Sequence, residues 1–356
     1  MNLFYTSILC ALLHFSTPAP SNVIDELEQV LLRELYEDGS IHVRWVHVQN
    51  SSFHVLEGGD SSLPPLVLIH GYGATAAITW RHVLPKVTDH YHTYAINLPG
   101  FGRSSLSASF PANITESVVI DMFCSHFQSL WISLDLHAPY VVAHSFGGFV
   151  FTRCLSQDSN LASTFLLVAA PGFFPTNGGV DYYVASLVAA GMPHKLLKAT
   201  GKFGKHAMTK LLEWSGNRFN PTLLEYWYHL QTSESMLSDS FMRLFLKHDY
   251  FYVKGTGLAL TSFLKLNVST VLLYGSDDAV APPLQGQLLS ELSGAKLYII
   301  QGADHMPYNY NKGADFVEVF SSHPNTSLTH NQIRFFLKRH YRRFLSNQPL
   351  ERLLLA

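Results

Sequence analysis

Charge is scarce in this sequence: Asp, Glu, Lys and Arg together make up 14% of 356 residues, with a net charge of −2. That balance cannot build the broad positive field that nucleic-acid binding needs, so no nucleic-acid partner is expected. Cysteine is scarcer still, with three in the chain. Cys10 lies in an apolar N-terminal run, and Cys124 and Cys154 alone remain for the globular part. Neither a disulfide framework nor a metal-ligand spacing is expected from so few. Internal repeats and low-complexity tracts are also lacking. Hydrophobic residues reach 47%, enough for a sizeable core and incompatible with wholesale disorder. The length suits one large α/β domain with an insertion.

Residues 1–24 carry no Lys, Arg, Asp or Glu, and "LFYTSILCALLHF" is followed by "STPAPS". An apolar run of that length before small residues reads as a signal peptide over residues 1–21, or as an N-terminal hydrophobic anchor or interfacial helix. The expected location is the secretory pathway or a membrane, with the cytoplasm as the alternative. Sequons at Asn50, Asn113, Asn267 and Asn325 would accept glycan in a secretory compartment.

After a helix-like stretch at 23–38, "IHVRWVHVQ" and "SFHVLEG" alternate polar and apolar residues around a turn, predicting an antiparallel hairpin. From residue 66 the pattern changes to short, wholly apolar runs separated by helix-length segments. The runs are "LVLIHG", "HTYAINLPG", "YVVAHS", "TFLLVAAPG", "TVLLYGSDD" and "LYIIQGADH". Such strands indicate an α/β fold, a mostly parallel central sheet with helices on both faces, whose ligands bind at the carboxyl ends of the strands. The long helical, aromatic-rich stretch at 176–262 reads as an inserted cap. It divides a core of residues 40–175 from a second core part at 263–346.

Within "VVAHSFGGFV", Ser145 sits between a strand and a helix with Ala143 two residues before and Gly147 two after. That is the pattern of a nucleophile elbow, in which a tight turn lifts the hydroxyl above the sheet and small flanking residues avoid a backbone clash. A serine hydroxyl needs a base, and the base needs an acid to hold its tautomer. Later strand ends supply both in the order acid, then histidine. Asp278 lies three residues past Gly275 and four before Pro282, and His305 closes "GADH". Asp277 remains a rival for the acid. "HGYGA" at 70–74 brings His70 and Gly71 into the loop after the first parallel strand. There the amide of Tyr72 can pair with that of Phe146, next to the serine, as an oxyanion hole. This chemistry calls for no cofactor and no metal.

Together "LIHGYG", "NLPGFGRSS", "AHSFGGF", "YGSDDAVAPP" and "GADH" resemble an α/β-hydrolase of the abhydrolase type over about residues 64–310. "GFGRSS", "HSFGGF", "PGFF" and "YWYHLQTS" are more narrowly similar to the branch containing N-acylphosphatidylethanolamine lipase and the lipid-droplet lipase coactivator. The coactivator lacks the nucleophile, so the presence of Ser145 implies an active serine hydrolase with an ester, amide or lipid substrate. Acyl transfer to a lysophospholipid, linked in that branch to His-x4-Asp, is put in doubt because Tyr310 stands five residues after His305. A non-catalytic, lipase-regulating binding protein is the third reading. The Asp that many relatives place before Leu-Pro-Gly-Phe-Gly is Asn97 here, and epoxide hydrolases and haloalkane dehalogenases resemble an Asp-nucleophile pattern that Ser145 excludes. Lys195, Lys198, Lys202 and Lys205 would share one helical face of the cap, either solvated or set against an anionic lipid surface. "IRFFLKRHYRRFL" at 333–345 reads as a closing helix with its charges outward, or as a second membrane contact.

Overall fold

The computed structural model describes residues 21–35, 40–48, 51–105, 115–174, 206, 221–232 and 256–309. An N-terminal helix α1 (Ser21–Leu35) leads into β1 (Ile41–Val48) and β2 (Ser51–Gly58). The remaining strands are β3 (Pro65–Ile69), β4 (His92–Ile96), β5 (Tyr140–His144), β6 (Thr164–Val168), β7 (Ser269–Gly275) and β8 (Lys296–Ile300). All eight form one sheet in the order β1-β2-β4-β3-β5-β6-β7-β8. β1, β2 and β4 are joined antiparallel, and every later pairing is parallel.

The expected hairpin is therefore present and is continuous with the sheet. β1 keeps exposed residues interleaved with buried ones, as an edge strand must, whereas β3 to β6 are buried along nearly their whole length. Each of the six apolar runs is a strand because residues covered on both sides have no polar face to alternate with.

Between the strands lie α2 (Ala76–Trp80), α3 (Leu84–Val87), α4 (Glu116–Ser133), α5 (Ser145–Leu155), α6 (Pro221–Thr232), α7 (Thr256–Leu264) and α8 (Pro283–Ser293). α4 packs on α5, and α8 on β7 and β8. The core is strongly aromatic. Phe127 meets Trp131 and Phe151, and Phe151 meets Phe165 across the helix–sheet boundary. Each such side chain, fully buried, contributes about 1.5–3 kcal/mol of transfer free energy.

One expectation needs correction. Cys124 of α4 and Cys154 of α5 form a disulfide, with Cα atoms 5.0 Å apart. Two cysteines 30 residues apart announce no framework by count, but the side-by-side packing of α4 and α5 brings them within bridging range.

The N-terminal apolar run lies outside the described residues. So do most of the 176–262 insertion, with Lys195, Lys198, Lys202 and Lys205, and the 333–345 segment. Among the described residues no helix is long and apolar enough to cross a membrane.

Candidate active site

β5 ends at His144, and Ser145 begins α5 with φ +51°. A left-handed conformation is costly for a residue with a side chain, and such strain gathers at functional sites. A Cβ on Gly147 would lie 2.3 Å from the carbonyl oxygen of His70, and one on Gly148 would lie 3.0 Å from the carbonyl oxygen of Ala143. Only glycine lets α5 start this close to the loop after β3. Ala143 is fully buried in β5, small enough for the position that glycine takes in the common form of the elbow.

The carboxyl ends of three strands converge on this serine. His305, in the loop after β8, places Nε2 2.9 Å from Ser145 Oγ and Nδ1 2.9 Å from Asp278 Oδ2. The other oxygen of Asp278 accepts hydrogen bonds from the amides of Val280 and Ala281, both at 2.8 Å. That carboxylate is buried and oriented by its own turn. Asp277 behaves differently: it is exposed, and its carboxylate accepts from the Ser276 hydroxyl at 2.6 Å. Ser276 in turn accepts from the Gly302 amide, and the Asp277 amide donates to the Ala303 carbonyl, so both residues tie the acid loop to the histidine loop. The structure brings Asp278, and not Asp277, to the imidazole.

The loop after β3 closes the site from the other side. A Cβ on Gly71 would come within 2.9 Å of both Ser145 Cβ and His144 Nδ1, so the chain of this loop runs directly against the serine. Tyr72 meets Phe146 and Phe101 edge-on at 5.8 and 5.5 Å, and Phe123 packs on Phe146. These rings form an aromatic cluster around Phe146, the residue after the serine. Tyr72 and Phe146, separated by 74 positions in sequence, are neighbours here, with Phe146 in the first turn of α5, where helix amides point outward.

His70 holds that loop. Its Nδ1 bonds the Gly71 carbonyl at 2.6 Å and its Nε2 accepts from the Leu98 amide at 2.9 Å, which fixes the neutral tautomer protonated at Nδ1. Burial holds the imidazole at about 4, below its ordinary 6.5, with the Gly71 bond opposing only in part. Between those values the unfolded chain binds a proton that the folded chain refuses, so stability falls as the pH drops. The full window corresponds to about 3 kcal/mol. The thermal unfolding midpoint is expected to decline steadily from pH 6.5 downward. A midpoint constant to pH 4 would contradict a neutral, buried His70.

His144 is a participant that sequence reasoning missed. Its Nε2 donates to the His305 carbonyl at 2.8 Å, and the two rings pack 4.8 Å apart. Burial, with His305 nearby, keeps it well below the usual histidine range. The only sequence signal was its place directly before the serine. Among the described residues no group of His, Cys, Asp or Glu is arranged to hold a metal ion.

The sequence model of the Alpha/beta hydrolase family matches residues 66–319. The chain belongs to the alpha/beta hydrolase family. Abhydrolase domain-containing protein abhd-5.2 of Caenorhabditis elegans is 22% identical over 312 residues, covering 83% of this chain and 68% of that protein. The pimeloyl-[acyl-carrier protein] methyl ester esterase of Aeromonas hydrophila is 21% identical over 277 residues, 72% of this chain and 93% of the esterase. Among solved structures, that of a bacterial membrane phospholipase A superposes with a TM-score of 0.63 at 19% identity, covering 90% of this chain and 98% of the other. At such identity the superposition speaks for the fold.

Proposed function

We propose that this protein is a serine hydrolase that cleaves an ester or amide bond of a lipid or other apolar acyl substrate through an acyl-enzyme. The observation that carries the reading is the unbroken relay Ser145–His305–Asp278, two contacts of 2.9 Å joining the carboxyl ends of β5, β8 and β7. In the proposed cycle His305 Nε2 takes the Ser145 proton as Oγ attacks the acyl carbon. Asp278 stabilises the imidazolium, which then protonates the leaving group. The amides of Tyr72 and Phe146 receive the developing alkoxide, each donor contributing roughly 2.7–4 kcal/mol where such terms are known. Water, activated by the same histidine, releases the acid. The aromatic cluster around Phe146, next to Ser145 in the chain, supports an apolar acyl group, and a relative named as a methyl ester esterase supports ester chemistry. The test is fluorophosphonate labelling of the purified chain, followed by a panel of acyl esters, amides and phospholipids. Absence of both labelling and turnover would favour the non-catalytic reading.

The same proposal includes a secretory or membrane-associated location, with the cap in peripheral contact with the lipid surface. The Cys124–Cys154 disulfide supports it, because such bonds persist in oxidising compartments. So does Asn267, exposed in the turn before β7 and followed by Val268 and Ser269. That turn lies at the amino end of the strand, away from the edge that carries Ser145, so glycan there leaves the site open. Protein from a secretory host is expected to begin near Ser21 and to lose mass on amidase deglycosylation, with part of that loss abolished by Asn267→Gln. Unmodified protein retaining Met1 in the cytosol would overturn this location.

A further inference from the structure

Beneath the loop after β3 lies a buried polar chain that the proposed relay does not use. Asn97, at the end of β4, accepts the Ala76 amide on Oδ1 at 2.7 Å. An amide nitrogen can only donate, so the side-chain oxygen must be the group facing it. The Asn97 NH2 group therefore faces His54 Nδ1, at 3.0 Å, and that ring nitrogen accepts. The His54 proton is left on Nε2, 2.9 Å from Glu28 Oε2. An aspartate at position 97 could not donate to His54, which gives the Asn97 departure a physical account.

The chain ends on Glu28 of α1, whose carboxylate is fully buried and also receives the Tyr226 hydroxyl at 2.6 Å and the Arg103 guanidinium. Burial opposes its ionisation, but its contacts with His54, Arg103 and Tyr226 outweigh this and hold the carboxyl at about 2. Tyr226 belongs to α6, and its hydroxyl also meets Thr75, the residue that caps α2. The next residue of α6, Trp227, donates to the Gly73 carbonyl at 3.3 Å. Gly73, Thr75 and Ala76 are the continuation of the Tyr72 loop. One carboxylate, brought by a helix that lies before the matched family region, thus acts on that loop along two routes.

We propose that Glu28 is a positioning residue for the oxyanion loop, so that α1 and the insertion helix α6 are parts of the catalytic unit rather than appendages. The inference rests on the serine-hydrolase reading and predicts which kinetic constant suffers. Loss of the carboxylate lets the Tyr72 amide drift from the place of the transition-state oxygen while leaving the aromatic cluster of Phe101, Phe123 and Phe146 in place.

The test uses the full-length chain with a soluble aryl ester and an alkylboronic acid, whose tetrahedral serine adduct needs the oxyanion donors. Glu28→Ala is expected to lower kcat by about ten- to a hundredfold, the scale of an ångström-sized misplacement, with KM within about twofold. Boronate affinity should fall by the same factor as kcat/KM. Tyr226→Phe, which removes one buried hydroxyl and keeps the ring, should show the same pattern more weakly, and it carries the test if Glu28→Ala does not fold. A folded variant with wild-type kcat, or a loss of kcat without a loss of boronate affinity, would overturn the positioning role. Failure of the serine-hydrolase reading is distinguishable, since the wild-type chain would then neither bind boronate nor turn over.

Discussion

Ser145→Ala is expected to abolish fluorophosphonate labelling and to reduce ester turnover by about 10⁶-fold, the scale seen when the nucleophilic serine is removed from a working Ser-His-Asp triad. The substitution deletes one oxygen from a turn whose shape is set by other atoms: the Gly147 approach to the His70 carbonyl, the Gly71 approach to Ser145 Cβ, and the α5 register. Alanine accepts φ +51° no worse than serine does, so the thermal midpoint should move by a degree or two at most. The loss would then be chemical and not structural. His305 keeps its bond to Asp278 and its carbonyl keeps the His144 donor, so circular dichroism and unfolding should match the parent. Labelling that survives in the variant would remove Ser145 from the nucleophile role and favour another serine. Turnover that survives without labelling would remove the acyl-enzyme from the mechanism.

Much of this site was legible in the sequence because the fold writes its chemistry at the ends of apolar runs. A strand covered on both sides must be apolar throughout, so "YVVAH" and "TVLLYG" mark where each strand stops, and the residues just beyond them are Ser145 and Asp278. Contacts between distant segments were not legible. The Tyr226–Glu28 bond spans 198 positions, and neither residue type carries a local signature of its partner. The Cys124–Cys154 pairing depends on how α4 lies on α5, which residue counts do not reveal. His144 was hidden for another reason: a histidine before an elbow serine reads as part of the turn, and only the fold supplies the His305 carbonyl that gives it work. Likewise Asn97 looked like an unexplained exchange until a backbone amide on one side and an imidazole on the other required both ends of a carboxamide.

The choice between Asp277 and Asp278 turns on one residue of register, and the turn geometry predicts a large difference. In Asp278→Asn the amides of Val280 and Ala281 still demand an acceptor, so the carboxamide oxygen stays where Oδ1 is now. Its NH2 group must then face His305 Nδ1. That nitrogen can no longer carry a proton, so the neutral imidazole is protonated at Nε2, the atom that has to receive the proton of Ser145. A correctly placed base in the wrong tautomer is expected to lower kcat by roughly 10⁴-fold, with little change in KM. Asp277→Asn keeps an oxygen for the Ser276 hydroxyl on an exposed loop and should change kcat by less than about threefold. The comparison is made on variants of matched thermal stability, because Asp278 also holds its own turn. If Asp277→Asn proved the more damaging of the two, the imidazole would be oriented by a different carboxylate from the one 2.9 Å away, and the proton relay proposed here would fail at its second step.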